Sequence, residues 1–203
     1  MSTATAERAG PTPQVAWAPT LTGSEVHVGT PNTGGGLWVA PAGTALPTDC
    51  KTAFTTPWLP LGYIAEEGPT VGQNASQQDL TPWQSIAPVR SVITQRAVTL
   101  HFILWQVNVQ SLGIYFDADQ PVPSVTDGSF TMPVRADKGG HLYSFAIDSL
   151  DGNNVIRIGM TRASLTDAGD MALSRGATVP MECTLTAQVD NNVLCTIMVG
   201  PGS

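Results

Sequence analysis

The side chains with reach for chemistry are few, and their spacing limits what they can do. His27, His101 and His141 lie far apart in the sequence. His101 sits inside the apolar run AVTLHFILWQV, where a hydrogen-bonded core imidazole is the expected role; His27 falls in a Thr/Pro/Gly-rich N-terminal stretch, and His141 follows Gly139-Gly140 at a turn. Cys50, Cys183 and Cys195 are odd in number and form no CxxC pair. They read as reduced, buried small hydrophobes and not as a disulfide framework or a zinc site. Glu66 and Glu67 are adjacent, so they point to opposite faces of a strand or make a solvated acidic tip of a loop. Asp148 and Asp151 flank a hairpin turn, a position that suits short carboxylates. No serine stands in GxSxG, and neither HExxH nor a carboxylate-rich metal loop occurs. Gly34-Gly35-Gly36 lacks the Lys and Ser/Thr of a phosphate loop, and Asn74-Ala75-Ser76 matches a glycosylation acceptor only in form. At each position packing explains the residue better than catalysis does, so no enzyme, cofactor or metal is expected.

The elements that hold these residues must come from a chain of unusual balance. Hydrophobic residues make up 42% of the 203, but charged ones only 12%, about half the usual ~25% share. Such a surface must be satisfied by Thr, Ser, Gln and Asn or buried against partners. Sixteen acids against nine bases give a net charge of −7, which argues against a nucleic-acid-binding groove, since that needs a basic face. The length suits one domain with appendages and a core that needs no staples. MSTATAERAGPTPQ has no signal-peptide core, and no 18-residue apolar run occurs. A cytoplasm-like compartment is therefore expected, unless an assembly carries the protein out.

Residues 1–36 are rich in Thr, Pro, Ala and Gly and cannot offset their own ordering entropy. Val15, Trp17 and Leu21 within them suggest an extended arm that orders against a neighbour. Residues 37–203 form the β domain. Leu37–Ala40 is a short apolar strand, residues 40–49 a loop, and residues 51–61 pack down through Phe54, Trp58 and Leu59 without a regular helix. Residues 66–84 read as a long loop, and loops beyond about 12–15 residues tend to be functional. With nothing catalytic on it, protein contact is the better reading. Residues 88–93 form a strand, Thr94-Gln95-Arg96 a turn, and residues 97–107 a strand covered on both faces. Asn108 then caps a brief helix with Val109, Leu112 and Phe116 on its buried face, weakened by Gly113. Residues 130–134, 142–150 and 155–160 are further strands, the last two joined at Asp151-Gly152.

The final segment has the clearest pattern. Met181, Cys183, Leu185, Ala187 and Val189 alternate with Glu182, Thr184, Thr186, Gln188 and Asp190, a strict period of two. A three-residue turn, Asp190-Asn191-Asn192, returns Val193, Cys195, Ile197 and Val199 to the same apolar face as a hairpin. In that register Cys183 and Cys195 stand about 13 Å apart, too far for a disulfide. The fold class is mainly β: two packed antiparallel sheets with one short flanking α-helix.

The order of features then carries a resemblance. GLWVAPAGTALPTD precedes LGYIAEEGP, a loop to Trp83, and a strand pair ending in WQVNVQSLGIYF; RIGMTRASLTDAGDMAL and MECTLTAQVDNNVLCTIMVG follow. Across residues 37–199 this resembles the major tail tube protein of long, flexible, non-contractile (siphovirus-type) phage tails, particularly of phages infecting actinobacteria. The resemblance implies a β-sandwich or barrel-like subunit, assembled in the host cytoplasm, whose place is the virion tail. Six copies make a ring, one sheet of each joining its neighbours' into a barrel around a channel. Rings stack into a tube through which the genome passes, and long loops and terminal arms reach adjacent rings. Expected partners are further copies of the chain and the tape-measure, tail-terminator and distal tail proteins; DNA passes without specific binding, and no membrane is involved. The sequence stops at Ser203 with no room for the immunoglobulin-like domain that some relatives append.

Two surfaces follow as expectations. Ring-to-ring contact falls on Glu66, Glu67, Gly68, Pro69, Gln73, Asn74, Gln77, Gln78, Asp79 and Trp83. The channel lining falls on Glu182, Thr184, Thr186, Gln188 and Asp190, a face without Lys or Arg, against the plainer reading of an ordinary solvent-facing side. The rival classes are a capsid-decorating β-sandwich, which would form small closed oligomers, and a carbohydrate-binding β-sandwich. The latter needs exposed aromatics on one sheet face, whereas Trp38, Trp58 and Trp83 sit beside loops or prolines.

Overall fold

A computed structural model of the chain describes residues 30–31, 36–118, 122–123, 129–137 and 139–201. The arm residues Val15, Trp17 and Leu21 lie outside them. The elements in chain order are β1 (Thr30–Pro31), β2 (Leu37–Pro41), β3 (Leu59–Pro60), β4 (Thr70–Leu80), β5 (Arg90–Leu104), α1 (Val109–Tyr115), β6 (Val122–Pro123), β7 (Phe130–Thr131), β8 (Leu142–Asp151), β9 (Asn154–Ala168), β10 (Met181–Ala187) and β11 (Thr196–Pro201). The protein is mainly β, antiparallel, with a single short helix among the described residues. Nine strands belong to one hydrogen-bonded sheet in the order β3-β2-β8-β9-β10-β5-β4, with β1 added to β8 and β11 to β9; β6 and β7 pair separately.

The sandwich character comes from curling of this sheet. Phe102 on β5 and Phe145 on β8 stand three strand spacings apart, about 14 Å in a flat sheet. Their ring centroids are 6.3 Å apart, so the two halves of the sheet fold over one another. Leu37, Leu61, Leu100, Leu104, Met160, Met181 and Leu185 fill the space between. The segment after β3 spans the gap: the Leu61 amide donates to the Leu37 carbonyl of β2, and the Ala65 amide to the Ile103 carbonyl of β5. The ladder does not close into a barrel.

Residues 42–58 cover the outer face of the β2-β8-β9 half. Trp38 stacks on Phe54 at 4.9 Å, Trp58 is buried beside Ala40 and Ala146, and Leu46 occupies the space that a Cβ on Gly159 would need. Arg157, 3% exposed, ties this cover down. It forms a two-pronged pair with Asp148 directly opposite on β8 (2.7 and 2.8 Å), donates to the carbonyls of Asp49 and Thr52, and lies 4.3 Å from the centre of the Phe54 ring. The expectation that residues 51–61 pack without a helix holds, although Leu59 itself is exposed on β3.

Several expectations are corrected. Residues 66–84 are not one long loop: Thr70–Leu80 is an eleven-residue strand paired along its whole length with β5. Thr94-Gln95-Arg96 is no turn, because β5 runs unbroken from Arg90 to Leu104. Thr94 is instead the extra residue of a bulge between the Ser76–Gln95 and Gln77–Ile93 pairs, its hydroxyl donating to the Ser76 carbonyl at 3.3 Å. The helix is capped by Asn108 as expected, in a reciprocal box with Ser111. Its buried face, however, is Ser111, Ile114 and Tyr115; Phe116 is exposed. β9 extends eight residues past Met160.

The last hairpin is also different. β10 pairs with β5 and β9, and β11 pairs with β9 alone, continuing in the direction of β10 along the same edge. Between them the chain makes a detour closed by reciprocal hydrogen bonds of Asp190 and Val193, both 2.9 Å. Asn191 and Asn192 take positive φ values of 48° and 66°, which makes this a two-residue turn of the type I′ class. The three-residue turn, and the face shared by Val193–Val199 with β10, are therefore overturned, and Ile197 and Val199 are exposed.

Candidate assembly surfaces

The first surface is the β4–β5 hairpin. Its lower half packs on the core through Val98, Leu100, Phe102 and Leu104. From Gln73 on β4 and below Arg96 on β5, both faces are exposed. A two-stranded ribbon of this kind is at best marginally stable in water. It is held internally by the Ser91 hydroxyl on the opposite carboxylate of Asp79 and by the Val89 amide on the Leu80 carbonyl. Ser85 braces the tip, accepting from the Ala87 amide and donating to its carbonyl. The tip carries Trp83, 98% exposed, and a fully exposed Ile86; Leu80, Val89, Val92 and Ile93 add further bare apolar surface.

The structure thus divides the residues expected for ring-to-ring contact into three groups. Glu66–Pro69 form the turn that enters β4, with Gly68 at φ 70°. Gln73, Asn74, Gln77, Gln78 and Asp79 lie along the projecting strand, and Trp83 is at its tip. Sequence reading missed Ile86, Val89, Val92 and Ile93 as members of this surface. Residues 83–93, WQSIAPVRSVI, hold a cluster of apolar residues with no buried face to serve, and that was the available signal.

The second surface is the polar face of β4, β5 and β10, which the 42–58 cover leaves bare. Glu182, Thr184 and Thr186 stand opposite Ile103, His101 and Thr99, and the last two stand opposite Thr70 and Gly72. A Cβ on Gly72 would lie 2.7 Å from the Thr99 hydroxyl, so glycine lets the strands close there. Thr166, the bulged residue of β9, hydrogen-bonds the Thr184 carbonyl and the Thr186 hydroxyl, each at 3.1 Å. Gln188 reaches Ser164 at 3.3 Å. His101, expected in the core, is instead on this face, its Nε2 2.8 Å from a carboxylate oxygen of Glu182. Strand alternation explains the exchange: Leu100 and Phe102 take the buried side. Asp190 leaves the face for the Asn191-Asn192 turn, so four of the five expected lining residues are brought together and the fifth is not.

Among the described residues both ends of the sheet are open: β4 pairs only with β5, β3 only with β2, and β11 only with β9. An unblunted edge of eleven residues is an invitation to a further strand.

The remaining reactive groups are turned inward. Burial pushes the Cys183 thiol up to about 12 and raises that of Cys195, which removes the thiolate that nucleophilic or ligand chemistry requires. Burial likewise pushes the Tyr143 hydroxyl up to about 12 and raises that of Tyr115, which donates to the Gly169 carbonyl. All three cysteines are unpaired thiols. His141 is held by Asp117, through its amide (3.0 Å) and through Nδ1 (2.9 Å). Among the described residues no group of three His, Cys, Asp or Glu is arranged to hold a metal, and no helix is long and apolar enough to cross a membrane.

The family described as "Phage tail tube protein" matches residues 22–198. The chain belongs to that family. It is a structural protein of the phage tail, and its place is the tail of the virion. Membership covers the cover segment, the projecting ribbon and the bare polar face alike, so these are features of a tail tube protein. No curated protein matches the chain. Among solved structures, one described as "Cryo-EM structure of the anti-feeding prophage cap (AFP tube terminating cap)" aligns over 90% of this chain and 100% of its own. Identity is 10% and the TM-score 0.35, too slight a likeness to carry detail.

Proposed function

We propose that this tail tube protein forms six-membered rings that stack into a hollow tube conducting the viral genome. The observation that carries the proposal is the unfinished sheet: an eleven-residue edge, β4, open among the described residues, and a ribbon exposed on both faces that projects beyond the core. Joining such sheets side by side around a hole satisfies the edges without a free end. The bare face of Glu182, Thr184, Thr186 and Gln188 then lines the channel. The net charge of −7 keeps DNA from adhering on its way through, because like charges repel at short range. The ribbon, the Glu66–Pro69 turn and the N-terminal residues Val15, Trp17 and Leu21 reach the adjacent ring. Assembly in the host cytoplasm, with tape-measure, tail-terminator and distal tail proteins as partners, completes the reading.

Negative-stain microscopy of the purified protein tests it: hollow filaments of constant width are expected. Small closed oligomers or a monomer at every concentration would end the proposal. Replacing Glu182 by Lys in infectious particles should slow genome ejection while leaving tails intact; unchanged ejection would remove the lining from this face.

A further inference from the structure

The exposed tip of the ribbon and a mainly apolar cavity of the body lie at opposite ends of the subunit. The cavity, of about 630 Å³, is lined chiefly by Val39, Pro41, Pro57, Leu59, Ile114 and Tyr143. That is within the roughly 300–1,000 Å³ range of sites that enclose a compact ligand and accommodates an indole. Gln110 on its wall offers a polar partner for an indole N–H. The helix that forms one wall, α1, follows β5 after four residues at the Leu104 end. The tip sits at the Arg90 end, fourteen residue steps away, about 45 Å at strand rise. A subunit therefore cannot place its own tip in its own cavity.

We propose that Trp83 and Ile86 of one copy dock in the cavity between α1, β3 and the start of β8 of the next copy along the tube axis. A patch and a pocket at opposite ends of one chain make a heterologous contact, which propagates as an open stack without closing. The exposed area agrees. A tryptophan contributes up to about 250 Å²; with Ile86, Leu80 and Val89 the tip approaches the roughly 800 Å² per partner of a standard interface. The proposal rests on the stacked-ring reading for its axis but not for its test.

The test uses two variants of the full chain. W83A/I86A lacks the tip but keeps the cavity. A42W keeps the tip and fills the cavity from its exposed rim. Unchanged circular dichroism and melting temperature show that each is folded. Neither should stack alone, whereas an equal mixture should form one-to-one heterodimers by analytical ultracentrifugation. A benzophenone amino acid at position 83 of A42W should cross-link to the cavity walls of its partner. Absence of heterodimer, or cross-links that map elsewhere, including residues 1–29, overturns the proposal. Wild-type protein that forms open chains through this contact yet makes no hollow tube would count against the ring reading alone.

Discussion

Asp148 and Arg157 face each other directly across the β8–β9 ladder, joined by hydrogen bonds of 2.7 and 2.8 Å with both side chains 3% exposed. The same guanidinium holds the carbonyls of Asp49 and Thr52, so one side chain fixes both the sheet and its cover. Replacing Asp148 by Ala strands a buried cation, and removal of one partner of a buried pair costs about 3–5 kcal/mol. The expected result is a lower melting temperature together with faster amide exchange over residues 49–58. A uniform loss with no local change in exchange would show that the guanidinium does not anchor the cover.

The distal half of the ribbon buries none of its own side chains. Replacing residues 77–94 by Asn-Gly closes the remaining ladder with a favoured two-residue turn. The body should keep its stability to within about 1 kcal/mol, as surface changes away from the core do, while tube formation is lost. Equilibrium denaturation and negative-stain imaging check the two halves of that statement. Tubes formed by the shortened chain would take the ribbon out of assembly.

The same ribbon shows what was legible in the sequence and what was not. Of the strands read correctly, β10 (residues 181–187) buries one face, and that burial writes its period-two pattern; residues 142–150 and 155–160, covered on both sides, read through their apolar content and the Asp151-Gly152 turn instead. β4, TVGQNASQQDL, buries almost nothing, so it carries no such pattern and reads as a loop. The polar stretch at Thr94-Gln95-Arg96 marks an irregularity but not its kind: a bulge and a turn draw on similar residues. His101 was misplaced because both faces of β5 are apolar near it, leaving parity undecided. The pairing of β10 was illegible for another reason. Alternation says which face is buried but nothing about which strand lies alongside, and β11, expected beside β10, lies beside β9 instead.

That detour makes its own prediction. Asn191 and Asn192 both adopt the left-handed conformation, which costs most residues about 1–2 kcal/mol and β-branched ones most. Asn191→Val should destabilise the protein by about that amount, and Asn191→Gly should be close to neutral. Thermal melts of the two variants decide between this turn and a three-residue turn, which would not require Asn191 also to tolerate positive φ.

The interior thiol makes stability fall on the alkaline side. Cys183 is fully buried and its folded-state value is pushed up to about 12 from 9, chiefly by burial and then by the Glu182 charge; Tyr143 is raised to about 12 from 10 by burial and by Asp117. In the unfolded chain both groups ionise at their ordinary values, so between pH 9 and 12 the folded state binds more protons than the unfolded one. Stability is then complete below pH 9 and is lost as the pH rises through that window, on the order of 1 kcal/mol per pH unit for the thiol. Cys183→Ala should lower stability modestly at neutral pH through lost packing. It should also flatten the decline that begins at pH 9, leaving the part due to Cys195 and, from near pH 10, the part due to Tyr143 and Tyr115. Melting temperatures measured from pH 7 to 11 on both proteins test this: parallel curves would show that the Cys183 thiol stays protonated in neither state or in both, and so contributes nothing to the alkaline limit.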